Sequence, residues 1–172
     1  MHSLIDSLLE LSLLDADREN LKLRPCDLAE ICREHLALLQ PLADEKGIVL
    51  KTEFTPAPCS ADPERISQVR ENLVGNALKF SPHGSEIRVS TSSDEGDAVL
   101  KVSDQGPGIP AGHLPHLFER FYRADLSRNR ATGGAGLGLA ICRSIADAHY
   151  GFIHVQSETG RRSVFTLRVL SC

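Results

Sequence analysis

Gly133-Gly134-Ala135-Gly136-Leu137-Gly138-Leu139 closes a basic, polar stretch and opens an apolar segment with helical spacing. So many residues without a Cβ are needed where the backbone itself must approach something closely. At a helix start the natural guest is a phosphate, because the first N–H groups are unpaired and carry partial positive charge. The run is not a P-loop, since no lysine follows its glycines. Nor is it a dinucleotide fingerprint: the spacing is Gly134-x-Gly136-x-Gly138, and no βαβ unit precedes it. Alone it reads equally as a flexible loop ahead of a helix, so its meaning rests on its companions.

Downstream of the run, a helix is expected to end near Gly151, followed by strands over 152–157 and 163–170. Upstream, residues 123–132 have the composition of a mobile lid, preceded by a short helix around 113–120. Glu86 to Ser92 and Ala98 to Val102 read as a hairpin turning at Asp94-Glu95-Gly96-Asp97. Asp62-Pro63 is a helix start running to Phe80, with aspartate as cap and proline in the first turn. Before it, Leu21 to Leu23 is extended, Asp27 caps a helix to Lys46 that Gly47 stops, and 48–54 alternates as a strand. A Pro-containing connection joins that strand to Asp62. Residues 2–17 carry Leu4, Ile5, Leu8, Leu9 and Leu11 at helical spacing, too short to be stable alone. The hairpins require antiparallel pairing while helices intervene elsewhere. The expected fold is therefore an α/β sandwich: a mixed, largely antiparallel sheet of about five strands with about three helices on one face.

Three further clusters carry chemistry. On the helix from Asp62, Asn72, Asn76 and Lys79 share a stripe at ~100° per residue, beside the apolar face of Ile66, Val69, Leu73, Ala77 and Phe80. Asparagine is a poor helix former, and an amide oxygen is a hard neutral ligand suited to Mg2+, which takes few protein ligands plus phosphates and water. The alternative is an exposed polar face. Asp104-Gln105-Gly106-Pro107-Gly108-Ile109-Pro110 follows a strand; its glycines can fold round a flat group while the aspartate accepts from an exocyclic amine, or it is an Asx turn. Phe118-Glu119-Arg120-Phe121-Tyr122-Arg123 offers arginines suited to phosphate oxygens, or simply a helix with core aromatics.

Composition narrows the classes. A chain of 172 residues with net charge −4 is large enough for one good core and too acidic for general nucleic-acid binding. Its five cysteines fit no zinc spacing and read as thiols in a reducing compartment. No apolar run reaches the ~18 residues of a membrane span, so a cytoplasmic location is expected.

In order and spacing, these clusters resemble the catalytic, ATP-binding domain of sensor histidine kinases, in the superfamily that also holds gyrase, the Hsp90 chaperones and MutL. Residues 68–81 are similar to that family's N box, Asp104 to Gly108 to its G1 box, Phe118 to Arg123 to its F box, and 134–141 to its G2 box. The resemblance implies that Asn76 is the principal Mg2+ ligand, with Asn72 supporting the ion or the phosphates and Lys79 neutralising phosphate charge. It implies that Phe80 lies along adenine, that Asp104 accepts the adenine amine, and that Gly106, Gly108 and Ile109 shape the pocket. Arg123, with Tyr122 beside it and Arg120 less directly, would face the γ-phosphate; Gly134, Ala135, Gly136, Leu137 and Gly138 would give backbone to the triphosphate as the lid closes. Three positions depart from the pattern: Phe80 where tyrosine is frequent, Ala135 where threonine is, and Gly160-Arg161-Arg162-Ser163 in place of a more glycine-rich turn.

The resemblance further implies transfer of the ATP γ-phosphate to a protein histidine and relay to a response regulator. None of the seven histidines lies in the acceptor setting of that family. Residues 1–20 resemble the end of the second helix of its dimerising phosphoacceptor hairpin, and 21–172 the catalytic domain. The expected parent is a homodimeric bacterial kinase, anchored in the inner membrane in one version. Two other readings share the boxes: an inactive nucleotide-binding regulatory module, and an anti-sigma-type serine kinase. In hydrolysing relatives a glutamate stands where this chain has Asn72, so negligible ATPase activity is expected.

Overall fold

The computed structural model describes residues 21–124 and 136–171. The expected N-terminal helix, most of the lid, Gly134 and Ala135 lie outside them. Five strands form the main sheet in the order β2-β4-β5-β7-β6: β2 (Val49–Phe54), β4 (Glu86–Asp94), β5 (Asp97–Asp104), β7 (Arg162–Leu170) and β6 (Phe152–Glu158). Only β2 runs parallel to its neighbour; the other pairings are antiparallel. The mixed sheet has the strand number that the sequence indicates.

Alternation decides which face is buried. Ile87 and Val89, Leu100 and Val102, Ile153, and Phe165, Leu167 and Val169 point inward. They meet the apolar faces of α1 (Leu28–Glu45), α2 (Pro63–Phe80) and α3 (Gly138–Ala148) in one core. The opposite face is polar and carries an ion-pair ladder in which Glu86 meets Lys51 at 2.7 Å and Arg88 at 2.9 Å.

Local chemistry fixes the ends of the helices. Asp27 accepts from Ala29 N–H at 2.8 Å and from Ala57 N–H at 3.0 Å, so one carboxylate caps α1 and anchors the chain after β2. Asp62 caps α2 by accepting from the N–H groups of Glu64 and Arg65, with Pro63 in the first turn. Its own N–H donates to Nε2 of buried His149 at 3.0 Å, tying α2 to the end of α3. The β4–β5 turn places Glu95 and Gly96 at φ of 52° and 88°, the left-handed pair that a two-residue hairpin uses.

Two local expectations change. The extended piece near Leu21 is displaced onto β1 (Arg24–Asp27), which pairs antiparallel with β3 (Pro58–Ala61) inside the supposed connection. Both strands carry a proline, which removes ladder donors and confines such pairs to small edges. The helix expected over 113–120 is a 3-10 segment, Ala111–His116, because Pro115 cannot continue an α-helix.

Candidate nucleotide-binding site

The C-terminal half of α2 is the spine of the site. Asn72 and Asn76 are half-buried along it, and Lys79 and Phe80 emerge at its end, where Phe80 is 55% exposed and Lys79 Nζ lies 5.1 Å from its ring centroid. Asp104, the last residue of β5, is only 6% exposed, and its Oδ1 accepts from Gly106 N–H at 2.8 Å. Burial raises the Asp104 carboxyl above the ordinary range, with the Gly106 bond opposing the shift. Its second oxygen is not among the buried side-chain atoms left without a partner, so it stays open to a donor from solvent.

Gly106 is held between the aspartate and the end of α2. A Cβ there would stand 2.6 Å from Asp104 Oδ1 and 3.4 Å from the Phe80 carbonyl. Gly108, at φ +67°, abuts the β6–β7 turn so closely that a Cβ would meet the Glu158 carbonyl oxygen at 2.2 Å. Pro107 accepts from Gly160 N–H at 2.6 Å and Ile109 donates to Ser157 Oγ at 2.8 Å, so β6 and β7 hold the loop in shape.

Towards the other end of the spine, α3 begins at Gly138, and no side chain caps it. An ideal Cβ on Gly138 would lie 3.2 Å from Asn72 Oδ1, so Asn72 sits against the first turn of α3. One turn further, burial pushes the Cys142 thiol up to about 12, with a hydrogen bond involving Asn72 pulling the other way. From Asn72 to Phe80 is about 12 Å of helix, comparable with an extended nucleoside triphosphate.

The aromatic–basic segment closes on the same region. Phe121 donates its N–H to the Gly136 carbonyl at 3.0 Å, which joins the two ends of the stretch that contains the lid. The Lys79 ammonium is shifted down by partial burial and, secondly, by the Arg123 guanidinium, so Arg123 lies within electrostatic reach of the end of α2. Tyr122 is engaged within the fold: its hydroxyl lies 2.6 Å from His113 Nδ1 and its ring 5.5 Å from that of His116.

The structure therefore brings Asn72, Asn76, Lys79, Phe80, Asp104, Gly106 and Gly138 onto or against one helix, with Arg123 in electrostatic reach of its end and Gly136 and Leu137 leading into α3. Gly108 and Ile109 shape the loop from behind. Sequence reasoning missed Ser81, whose hydroxyl is buried with no partner among the described residues just past Phe80, and the seam between Asn72 and Cys142. A hydroxyl directly after the last residue of α2 was the signal available for Ser81.

A family model described as "Histidine kinase-, DNA gyrase B-, and HSP90-like ATPase" matches residues 61–171. The chain belongs to this ATPase family. Within the family, it is 42% identical over 146 residues to the sensor histidine kinase YkoH of Bacillus subtilis, a match covering 85% of this chain and 32% of that protein. It is 31% identical over 170 residues to the sensor protein SrrB of Staphylococcus aureus, covering 98% of this chain and 29% of that one. Full-length ShkA, crystallised with AMPPNP, superposes with a TM-score of 0.85 at 29% identity, over 98% of this chain and 35% of that one. The chain thus spans about a third of the length of the curated relatives it matches. No helix among the described residues of this ATPase-family domain is long and apolar enough to cross a membrane.

Proposed function

We propose that this domain binds Mg-ATP along α2 and presents the γ-phosphate to a histidine on a phosphoacceptor hairpin, for relay to a response regulator. The observation that carries the reading is the pairing of two recognition ends on one helix. At Phe80 stands a buried carboxylate with one oxygen committed to Gly106 and one open; at Asn72 stands the uncapped start of α3. The first suits the exocyclic amine of adenine, and the second suits phosphate.

Each residue then has a defined task. Asp104 accepts the adenine amine, Phe80 lies along the base, and Gly106 keeps the slot thin. Lys79 and Arg123 place two cations beside the phosphates. The α3 N-terminus, with Gly136, Leu137 and Gly138, donates backbone N–H groups to phosphate oxygens.

Among the described residues no group of three or more His, Cys, Asp or Glu side chains could hold a metal by itself. The Asn76 side chain makes no hydrogen bond to another described residue, and its amide is a neutral oxygen donor. That donor set fits an Mg2+ ion that arrives on the nucleotide, held by Asn76 with Asn72 in support. When bound, the ion would supply positive charge that offsets the charge of the phosphates. Phosphoryl transfer needs little beyond positioning and such electrostatic support.

Where hydrolysing relatives carry the water-activating glutamate this chain has Asn72, whose amide cannot take a proton from water, and the adjacent Glu71 lies about 100° round the helix on Arg70. The γ-phosphate is thereby kept for a protein acceptor. Adding an isolated phosphoacceptor hairpin and γ-labelled ATP should label a histidine on that hairpin. Nucleotide binding with no transfer to any such hairpin would refute the kinase reading, and steady-state hydrolysis at gyrase-class rates would refute the role given to Asn72.

A further inference from the structure

Cys26 and Cys59 stand directly opposite each other in the β1–β3 pair, and their Sγ atoms are 3.6 Å apart. Leu28 N–H donates to the Ala57 carbonyl in the same register, so two positions back Cys26 and Cys59 occupy a hydrogen-bonded site. Such pairs have Cα atoms about 5.5 Å apart, inside the ~4.4–6.8 Å range that a disulfide spans. Closing the bond brings the sulfurs from 3.6 Å to about 2.05 Å, with the two β-carbons drawn slightly together. The two thiols also differ in access: Cys26 is half-exposed, whereas Cys59 is fully buried.

We propose that Cys26 and Cys59 form a reversible dithiol–disulfide site that low-molecular-weight disulfides of the glutathione type oxidise, stapling β1 to β3. The accessible Cys26 gives up its proton and attacks one sulfur of the small disulfide, breaking that S–S bond. The released thiolate takes up a proton and leaves as thiol. Cys59 then attacks the Cys26 sulfur from its neighbouring position, forming the protein S–S bond and expelling the second small thiol with the Cys59 proton. Two protein thiols are oxidised by two electrons and one small disulfide is reduced to two thiols. Under reducing conditions both cysteines remain thiols, the form seen here.

The other described cysteines are built differently. Cys32 and Cys142 are fully buried, and burial pushes each thiol up to about 12, so neither offers a thiolate near neutral pH. The position of the Cys26–Cys59 pair gives the staple a consequence. β1 is where the chain enters the domain, and Lys22 N–H donates to the Asp62 carboxylate that caps α2 at 3.1 Å. β3 leads straight into that cap. Oxidation therefore fixes the entry strand to the root of the nucleotide helix, while the proposed ligands from Asn72 onward lie further along it.

The test needs no nucleotide, so its failure is separable from failure of the ATP-binding reading. The native chain is incubated with oxidised glutathione, trapped by alkylation and mapped by peptide mass spectrometry. The expected result is loss of two thiols, one linked peptide pair joining Cys26 to Cys59, and full recovery with a dithiol reductant. In Cys59→Ala the reaction should stop at a single glutathione adduct on Cys26; in Cys26→Ser, Cys59 should remain unmodified. The proposal is overturned if the wild type stops at the adduct, if the mapped bond involves Cys142 or Cys172, or if both thiols stay reduced in fully oxidised glutathione.

Discussion

Replacing Asp104 with asparagine separates recognition of the base from integrity of the fold. The carboxylate offers two acceptor oxygens, of which Oδ1 is taken by Gly106 N–H at 2.8 Å and the other faces the proposed adenine amine. Asparagine keeps its shape but has one acceptor and one donor. If its oxygen stays with Gly106, an NH2 group meets an NH2 group; if it turns, Gly106 N–H is orphaned. Either outcome leaves one buried polar group unmatched at a cost of about 1–3 kcal/mol. At 1.4 kcal/mol per tenfold, this is a Kd roughly 5- to 150-fold weaker. The unliganded fold should respond the other way. Because burial raises the Asp104 pKa, the folded state binds its proton more tightly than the unfolded state. Stability is therefore lost as pH rises from the ordinary carboxylate range to the raised value, and the penalty stays constant above it. Asparagine carries no charge to bury, so the variant's Tm at neutral pH should match or exceed that of the parent. Calorimetric titration with Mg-ATP and thermal melting measure both quantities on the same samples. Binding within twofold of the parent would refute the assignment of Asp104 to the base.

Other perturbations test other parts of the account. The Lys79 ammonium is shifted down, so its charge is lost at lower pH than that of an ordinary lysine; nucleotide affinity should decline on the alkaline side in the parent and hold in Lys79→Arg. Gly108→Ala places a methyl against the Glu158 carbonyl at φ +67°, whereas Gly84→Ala, at φ +80°, meets nothing within 4 Å. The second pays only left-handed strain of about 1–2 kcal/mol, and the first should lower Tm by about twice as much or more. With Asn72 in place, steady-state ATP turnover should stay near the uncatalysed background in a coupled-enzyme assay.

The sequence made the sheet and the long helices legible because their signals are local. Asp62-Pro63 sets a helix start by capping chemistry, and Asp94 to Asp97 sets a hairpin by turn chemistry. The spine was legible for the same reason: helical periodicity alone aligns Asn72, Asn76 and Lys79. What escaped depends on partners far apart in the chain. β1 and β3 are too short and too rich in proline to show periodicity; they pair between segments 33 positions apart, Cys26 opposite Cys59. The position of Asn72 against Gly138 follows from the packing of α2 on α3, which no spacing rule encodes. Tyr122 likewise has a partner that spacing does not reveal: its hydroxyl lies 2.6 Å from His113 Nδ1.

Calorimetric titration of Asn76→Ala with ATP, with and without Mg2+, tests the central claim most directly, since one amide on α2 is held to receive the nucleotide's cation. The account predicts Mg-dependent binding in the parent, and in the variant a large loss of affinity in which the Mg2+ dependence itself disappears. Equal affinity and an equal response to Mg2+ in both proteins would contradict it.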